Sequence, residues 1–160
     1  MGEFWDLYNK NREKTNLKHQ RGDPISLGLY HVVVSIWIKS DDGNYLMSQR
    51  HPNKTYPECW ECTGGSVLSG ETSLQGALRE VKEELGITLE ESSGQLIHSK
   101  RREATQDFYD VWLFHSNATL SDLVLQKEEV INAKWMSKHE IKNLFNNGEL
   151  HPLLNYFPWN

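Results

Sequence analysis

Three glutamates, Glu80, Glu83 and Glu84, stand within five residues of one another in the run REVKEELG. On a helix advancing about 100° per residue they share one face. Leu74, Ala77, Leu78, Val81 and Leu85 gather on an adjoining face, so an apolar stripe can enter a core while the carboxylates converge beside it. Like charges three and four apart destabilise a bare helix by a few tenths of a kcal/mol per pair. Their place near the helix C-terminus adds an unfavourable dipole interaction. The arrangement costs folding free energy unless a cation offsets it, and hard divalent ions such as Mg²⁺ prefer oxygen ligands shared with water and substrate phosphates. The bland alternative is a solvated acidic face, partly neutralised by Arg79 and Lys82. The flanking glycines, Gly64, Gly65, Gly70 and Gly86, weigh against it, because they allow close backbone approach before the helix and a left-handed stop after it.

Those carboxylates must be held by a helix over Ser73–Leu85, ended by Gly86. Upstream, residues 31–39 (HVVVSIWIK) read as a strand, Ser40 to Asn44 as a turn, and Tyr45–Arg50 as its hairpin partner. HPNKTYPECW reads as a loop, with a brief strand over Trp60–Thr63 before Gly64-Gly65. Strands are expected near 95–104, 107–117 and Ala133–Met136. Ser137 is placed to cap a second helix over Lys138–Phe145. The stretch from Gly148, with Pro152 and Pro158, should be irregular or only briefly helical. Phe4–Asn9 and Lys14–His19 suit a short N-terminal hairpin. Strands around a central helix, with a second helix late, indicate a mixed α/β domain.

The segment Gly65–Ile87 resembles the Nudix box. That pattern is Gly, five residues, Glu, seven residues, Arg-Glu, an aliphatic residue, any residue, Glu-Glu, any residue, Gly and an aliphatic residue. Gly65, Glu71, Arg79, Glu80, Val81, Glu83, Glu84, Gly86 and Ile87 meet it without a departure. The resemblance implies an α/β (α+β) fold with a mixed β-sheet sandwiched between helices, a single domain over 1–160 carrying the hairpin extension at about 3–20. It implies a metal-dependent hydrolase cleaving the pyrophosphate bond of a nucleoside diphosphate linked to another moiety, or a related diphosphate. By the same resemblance Glu80, Glu83 and Glu84 are catalytic residues and metal ligands, joined by the Gly64 carbonyl, for Mg²⁺ or Mn²⁺. Glu71 and Arg79 then form a structural ion pair. Glu128 or Glu129 can supply a further carboxylate.

A second resemblance, through EFWDLYNKNREKTN, YHVVVSIWI and KTYPECWE, is to the Nudix subgroup related to isopentenyl-diphosphate isomerase. Aligned through Glu71, that enzyme's catalytic cysteine position holds Gly64 and its next metal histidine position holds Ser66. His31 does match one isomerase histidine, and Cys62 lies two residues too early to replace the thiol. An isomerase-like enzyme and a non-catalytic nucleotide-binding module are therefore the alternatives. Binding modules usually lose box carboxylates, and this box is complete.

Other candidates read more plainly. Cys59-Trp60-Glu61-Cys62, with His51 nearby, is one C-x-x-C unit where a structural zinc needs about four ligands. Two reduced thiols, buried or partly exposed, is the better reading. His31 opens a strand and either reaches the site or is a hydrogen-bonded structural histidine. Trp37, Tyr56 and Trp60 could stack on a base, although large aromatics more often serve a core.

The 160 residues suit one domain, with 38% hydrophobic and 24% charged residues. The formal net charge of −5 argues against a broad basic surface for duplex nucleic acid or an anionic membrane. MGEFWDLYNK is charged and lacks the apolar core of a secretory signal. No stretch approaches the roughly 18 apolar residues that span a bilayer. A cytoplasmic protein acting on a small diphosphate, with a nucleotide moiety the first choice, is expected.

Overall fold

The computed structural model of the chain describes residues 2–156. Pro158, part of the C-terminal stretch expected to be irregular, lies outside the described residues. The strands are β1 Phe4–Tyr8, β2 Lys14–Gln20, β3 His31–Lys39, β4 Tyr45–Arg50, β5 Trp60–Glu61, β6 Thr63–Ser66, β7 Gln95–Arg102, β8 Asp107–His115 and β9 Val130–Met136. The helices are α1 Ser73–Leu85 and α2 Lys138–Asn146. A short 3₁₀ turn spans Pro152–Leu154 in the C-terminal stretch.

β3 is the spine of the sheet. It pairs in parallel with β8 along its whole length, and β7 joins β8 antiparallel at the sheet edge. Its other edge meets β4 only at Lys39↔Tyr45 and β6 from Val33 to Ile36. β4 in turn carries β9 and β5. Residues 60–66 thus cross from β4 to β3 and close the fork between them. The sequence reading ended the brief strand at Thr63. In the structure Gly64 and Gly65 lie inside β6, because backbone pairing with β3 extends the strand through them. β9 also starts three residues earlier than expected, where pairing with β4 recruits Val130 to Asn132.

β3 is apolar on both faces because both are covered. Val32, Val34, Ile36 and Ile38 pack toward Ala77, Val81 and Leu85 of α1. Trp37 belongs to a second core with Tyr45, Met47, Trp60, Val111 and Ile141 of α2. The mixed sheet therefore lies between the two helices. Complete burial of Val81 and Leu85 contributes roughly 1.5–3 kcal/mol each. Trp37 and Trp60 are core residues, and Tyr56 is exposed beside the His151 ring, so none of these three aromatics lines the acidic cleft described below.

The N-terminal hairpin β1–β2 is tied to this body at several points. Arg12 forks onto the Asp110 carboxylate at 2.8 and 2.6 Å. Ser73 and Ser99 also donate to Asp110, each at 2.6 Å. Burial opposes the Asp110 charge, yet these donors hold its carboxyl below the ordinary aspartate value. One buried carboxylate thereby joins the hairpin tip, the start of α1, β7 and β8.

Candidate active site

α1 forms where its ends are satisfied. Thr72 caps its N-terminus and exchanges hydrogen bonds with Gln75, a reciprocal capping box. Gly86 ends it in the left-handed conformation, at φ 74°, donating to the Lys82 carbonyl. The carbonyls of Glu84 and Leu85 are then met by the backbone N–H groups of Gln126 and Val124. That docking brings the 124–129 segment, with Glu129, against the carboxylate end of the helix.

A cleft of about 410 Å³ lies beside α1, walled by Glu80, Glu83, Glu84, Arg79, Glu129, Lys54 and the Gly64–Ser66 backbone. An adjoining cavity shares Gly64, Gly65, Lys54 and Arg21 with it, and adds Arg50, Glu61 and His151. A larger cavity of about 770 Å³ is lined by residues such as Tyr109, Tyr156, Lys100 and Arg102. None of the box carboxylates borders it, so its size says nothing about the chemistry.

Both glycines lie in close contact with their neighbours. A Cβ on Gly64 would come within 2.8 Å of the Val34 carbonyl on β3. A Cβ on Gly65 would come within 2.3 Å of the Glu80 carboxylate, which rests on that backbone. Arg79 is the hub. Its guanidinium meets Glu71 at 2.7 and 3.0 Å, Glu80 at 3.0 Å, Glu83 at 3.2 Å and the Ser66 carbonyl at 3.0 Å. Glu71 also accepts the Leu68 N–H at 2.8 Å. The Glu71–Arg79 pair is therefore present and stitches the Gly-rich segment to the helix.

The three glutamates differ in environment. Glu83 is half exposed, Glu80 is 13% exposed, and Glu84 is 7% exposed. No donor among the described residues reaches the Glu84 carboxylate. Burial pushes the Glu84 carboxyl well above its ordinary value, and the Glu80 and Glu61 charges add to the rise. Burial also drives Glu80 up to about 7, against the pull of Arg79 and with a further push from Glu83 and Glu3. Among the described residues no three acidic, histidine or cysteine side chains form a ready-made cation cage. The reason is visible: Arg79 draws Glu80 and Glu83 to itself. The donor set nevertheless fits a hard divalent cation, since a buried carboxylate with no donor beside a second raised carboxylate is a site short of positive charge.

These environments have a measurable consequence without any cation. An unfolded glutamate releases its proton near its ordinary value of 4.5, whereas Glu80 holds its own to about 7 in the folded chain. The folded state binds more protons across that window, so stability falls as pH rises through it. Thermal midpoints of chelated protein are expected to drop between about pH 5 and about pH 7.5. Glu80→Gln should shrink that drop, and combining it with Glu84→Gln should flatten it, because both carboxyls are raised; an equal slope in the double variant would assign it elsewhere.

The structure separates the two extra carboxylates. Glu129 lines the cleft and pairs with Lys54, whereas Glu128 is exposed and lines neither this cleft nor the adjoining cavity. Glu61, which the sequence reading passed over, stands in the adjoining cavity with Arg50 on both its oxygens at 3.1 and 3.0 Å. Burial raises the Glu61 carboxyl, and Arg50 opposes the rise. Its one sequence signal, a charged residue between two cysteines, pointed to the wrong chemistry. Lys54, Arg50, Arg21 and Glu3 were likewise unmarked, because single charged residues at strand ends and in connecting segments carry no spacing signal.

His31 does not line the cleft. It is buried, stacked face to face under Trp5 at 3.9 Å, and its Nδ1 has no hydrogen-bond partner among the described residues. It is structural, but not through the expected hydrogen bond at that nitrogen. Burial holds it down at about 4, so it stays neutral. Cys59 and Cys62 are free thiols. Cys62 is buried in the second core, and burial raises its thiol far above the ordinary range, which makes it a poor proton donor for an isomerase reaction. Among the described residues no helix is long and apolar enough to cross a membrane.

Residues 29–156 match the family model for the NUDIX domain. A Listeria monocytogenes protein named as an uncharacterised Nudix hydrolase is 41% identical over 152 residues, covering 94% of this chain and 89% of the relative. A Deinococcus radiodurans crystal structure superposes with a TM-score of 0.74 at 24% identity, covering 92% of this chain and 91% of its own. The NUDIX domain of Shewanella oneidensis NrtR, solved with ADP ribose, superposes with a TM-score of 0.60 at 16% identity over 77% of this chain and 82% of that one. These two likenesses concern the fold; the domain match and the Listeria relative place the chain in the Nudix hydrolase family, the pyrophosphohydrolases that act on acid anhydrides.

Proposed function

We propose that this chain hydrolyses the P–O–P bond of a nucleoside diphosphate linked to another moiety, or of a related diphosphate, using Mg²⁺ or Mn²⁺, in the cytoplasm. The observation that carries this reading is Glu84, 7% exposed and with its carboxylate reached by no donor among the described residues, beside Glu80 in a cleft floored by glycine backbone. The ADP ribose in the Shewanella fold neighbour is a diphosphate of this kind.

Glu80, Glu83 and Glu84, with the Gly64 carbonyl, would hold the cation. When bound it supplies neutralisation of diphosphate oxygens and a water of lowered pKa. Glu129, kept in place by Lys54, is the side chain we assign to orienting the attacking water, in preference to Glu128. Glu71 and Arg79 tie the 66–71 segment to α1, which keeps the glycine backbone beside the carboxylates. Phosphoryl transfer asks mainly for such positioning and electrostatics.

The test is hydrolysis of a panel of nucleoside diphosphate sugars, dinucleoside polyphosphates and nucleoside triphosphates in oxygen-18 water. Turnover is expected with Mg²⁺ or Mn²⁺ and loss of turnover is expected after chelation. Label in a phosphate product identifies the attacked phosphorus. Near-normal turnover in chelated protein would overturn the metal assignment. Deuterium entering allylic product from isopentenyl diphosphate in heavy water would overturn the hydrolase reading in favour of an isomerase.

A further inference from the structure

Glu3 and Arg21, which flank the hairpin β1–β2 and lie before the 29–156 match, line the cleft. The hairpin's anchors fall on the segment that shapes the site. Ser69 Oγ and the Gly70 N–H donate to the Asp6 carboxylate at 2.8 and 2.9 Å, and the Ser69 N–H donates to the Phe4 carbonyl at 2.9 Å. Ser69 and Gly70 lie between Gly65 and Glu71, so the hairpin and the glycine-rich segment are held as one wall.

Directly after β2, Arg21 enters at the junction of the two cavities and borders both. Among the described residues its guanidinium donates from Nη1 alone, to Glu3 at 3.0 Å, and its side chain is 65% exposed. The other cations of these cavities are committed. Arg79 is spread over four acceptor residues, Arg50 is forked onto Glu61 and held by Thr55, and Lys54 is paired with Glu129. Among the described residues, Arg21 is the cavity guanidinium with most of its donors open. A diphosphate entering beside so many carboxylates needs a cation for the phosphate turned away from α1, and a guanidinium fork matches phosphate oxygens two at a time.

We infer that Arg21 is a substrate-binding residue, supplied by the N-terminal hairpin, which takes one phosphate of the diphosphate in exchange for Glu3. This rests on the hydrolase reading above for the identity of the ligand. Glu3 also accepts the Trp5 indole N–H at 2.9 Å, so it remains anchored when Arg21 leaves. Glu3 thus competes with the substrate for one guanidinium.

The probe is methylenediphosphonate, a P–C–P diphosphate analogue that cannot be hydrolysed, titrated calorimetrically into the full chain with Mg²⁺. Arg21→Ala should raise Kd about tenfold or more, the size expected for losing a charge-assisted pair. Arg21→Lys should lose part of that, and Glu3→Gln should lower Kd, since the competing charge is gone. Arg21 makes one exposed ion pair, so the variants should fold, and circular dichroism checks this. Wild-type affinity in Arg21→Ala would overturn the inference. So would weakening in Glu3→Gln equal to that in Arg21→Ala, which would mark the pair as scaffolding. No binding by the wild-type chain would overturn it as well. The hydrolysis panel is separate, so a substrate found there leaves the hydrolase reading standing whatever Arg21 does.

Discussion

Glu84→Gln is expected to lower kcat by about a hundredfold or more, the scale of losing a key electrostatic group, while the fold is kept. Gln preserves the volume beside Glu80 and removes the charge. In the metal-free chain that largely buried charge has no donor among the described residues, so its removal should stabilise the fold. A gain of about 1 kcal/mol would lift the thermal midpoint by roughly 2–4 °C in a chain of this size. Added Mg²⁺ should raise the midpoint of the wild type by more than that of the variant, because only the wild type keeps the full donor set. Glu80→Gln should lose rate similarly, with a smaller stability gain, since Arg79 keeps its acceptor only in weakened, neutral form. Two measurements decide: differential scanning calorimetry with chelator and with Mg²⁺, and turnover on the best substrate of the panel. Near-normal turnover in Glu84→Gln, or an equal Mg²⁺ response, would remove Glu84 from the metal site.

Arg79→Ala should be the most damaging single change in the cleft. It strips Glu71, Glu80, Glu83 and the Ser66 carbonyl of one shared donor group. Breaking a largely buried pair by removing one partner typically costs about 3–5 kcal/mol, much of it the stranded charge. Arg79 and Glu71 are 21% and 19% exposed, so the lower end of that range applies. Turnover should fall as well, because the Gly64–Ser66 backbone loses its tie to α1. Glu71→Gln should cost less, as the amide can still accept from Leu68 N–H and Arg79. Denaturant unfolding of both variants, with kcat alongside, tests this. Wild-type stability in Arg79→Ala would show that the hub is not structural.

Much of the site's local frame was legible in the chain itself. The period of Leu74, Ala77, Val81 and Leu85 and the Gly86 stop define α1, and the same helix then fixes which three carboxylates share a face. Helix periodicity and caps act over three or four residues, so they can be read in a line of letters. β3 was legible for a similar reason, since a run of β-branched and aromatic residues has few alternatives to a strand buried on both faces.

What the tertiary structure decided is set by pairings across long stretches of chain. Glu128 and Glu129 are equivalent as text; docking of Val124 and Gln126 onto the end of α1 turns one into the cleft and leaves the other in solvent. Gly64 and Gly65 became strand because β3 supplies their partners; the Val34 carbonyl leaves no room for a side chain at Gly64, and the Glu80 carboxylate occupies that space at Gly65. His31 went under Trp5 because the hairpin folds back over β3. Arg50, Glu61 and Lys54 meet the box only where the chain crosses the fork between β3 and β4. The chain by itself determined the chemistry of the helix, because that information is local. The walls of the cleft, and the charges that face one another across it, were decided by contacts between residues far apart in sequence, which no local period or spacing encodes.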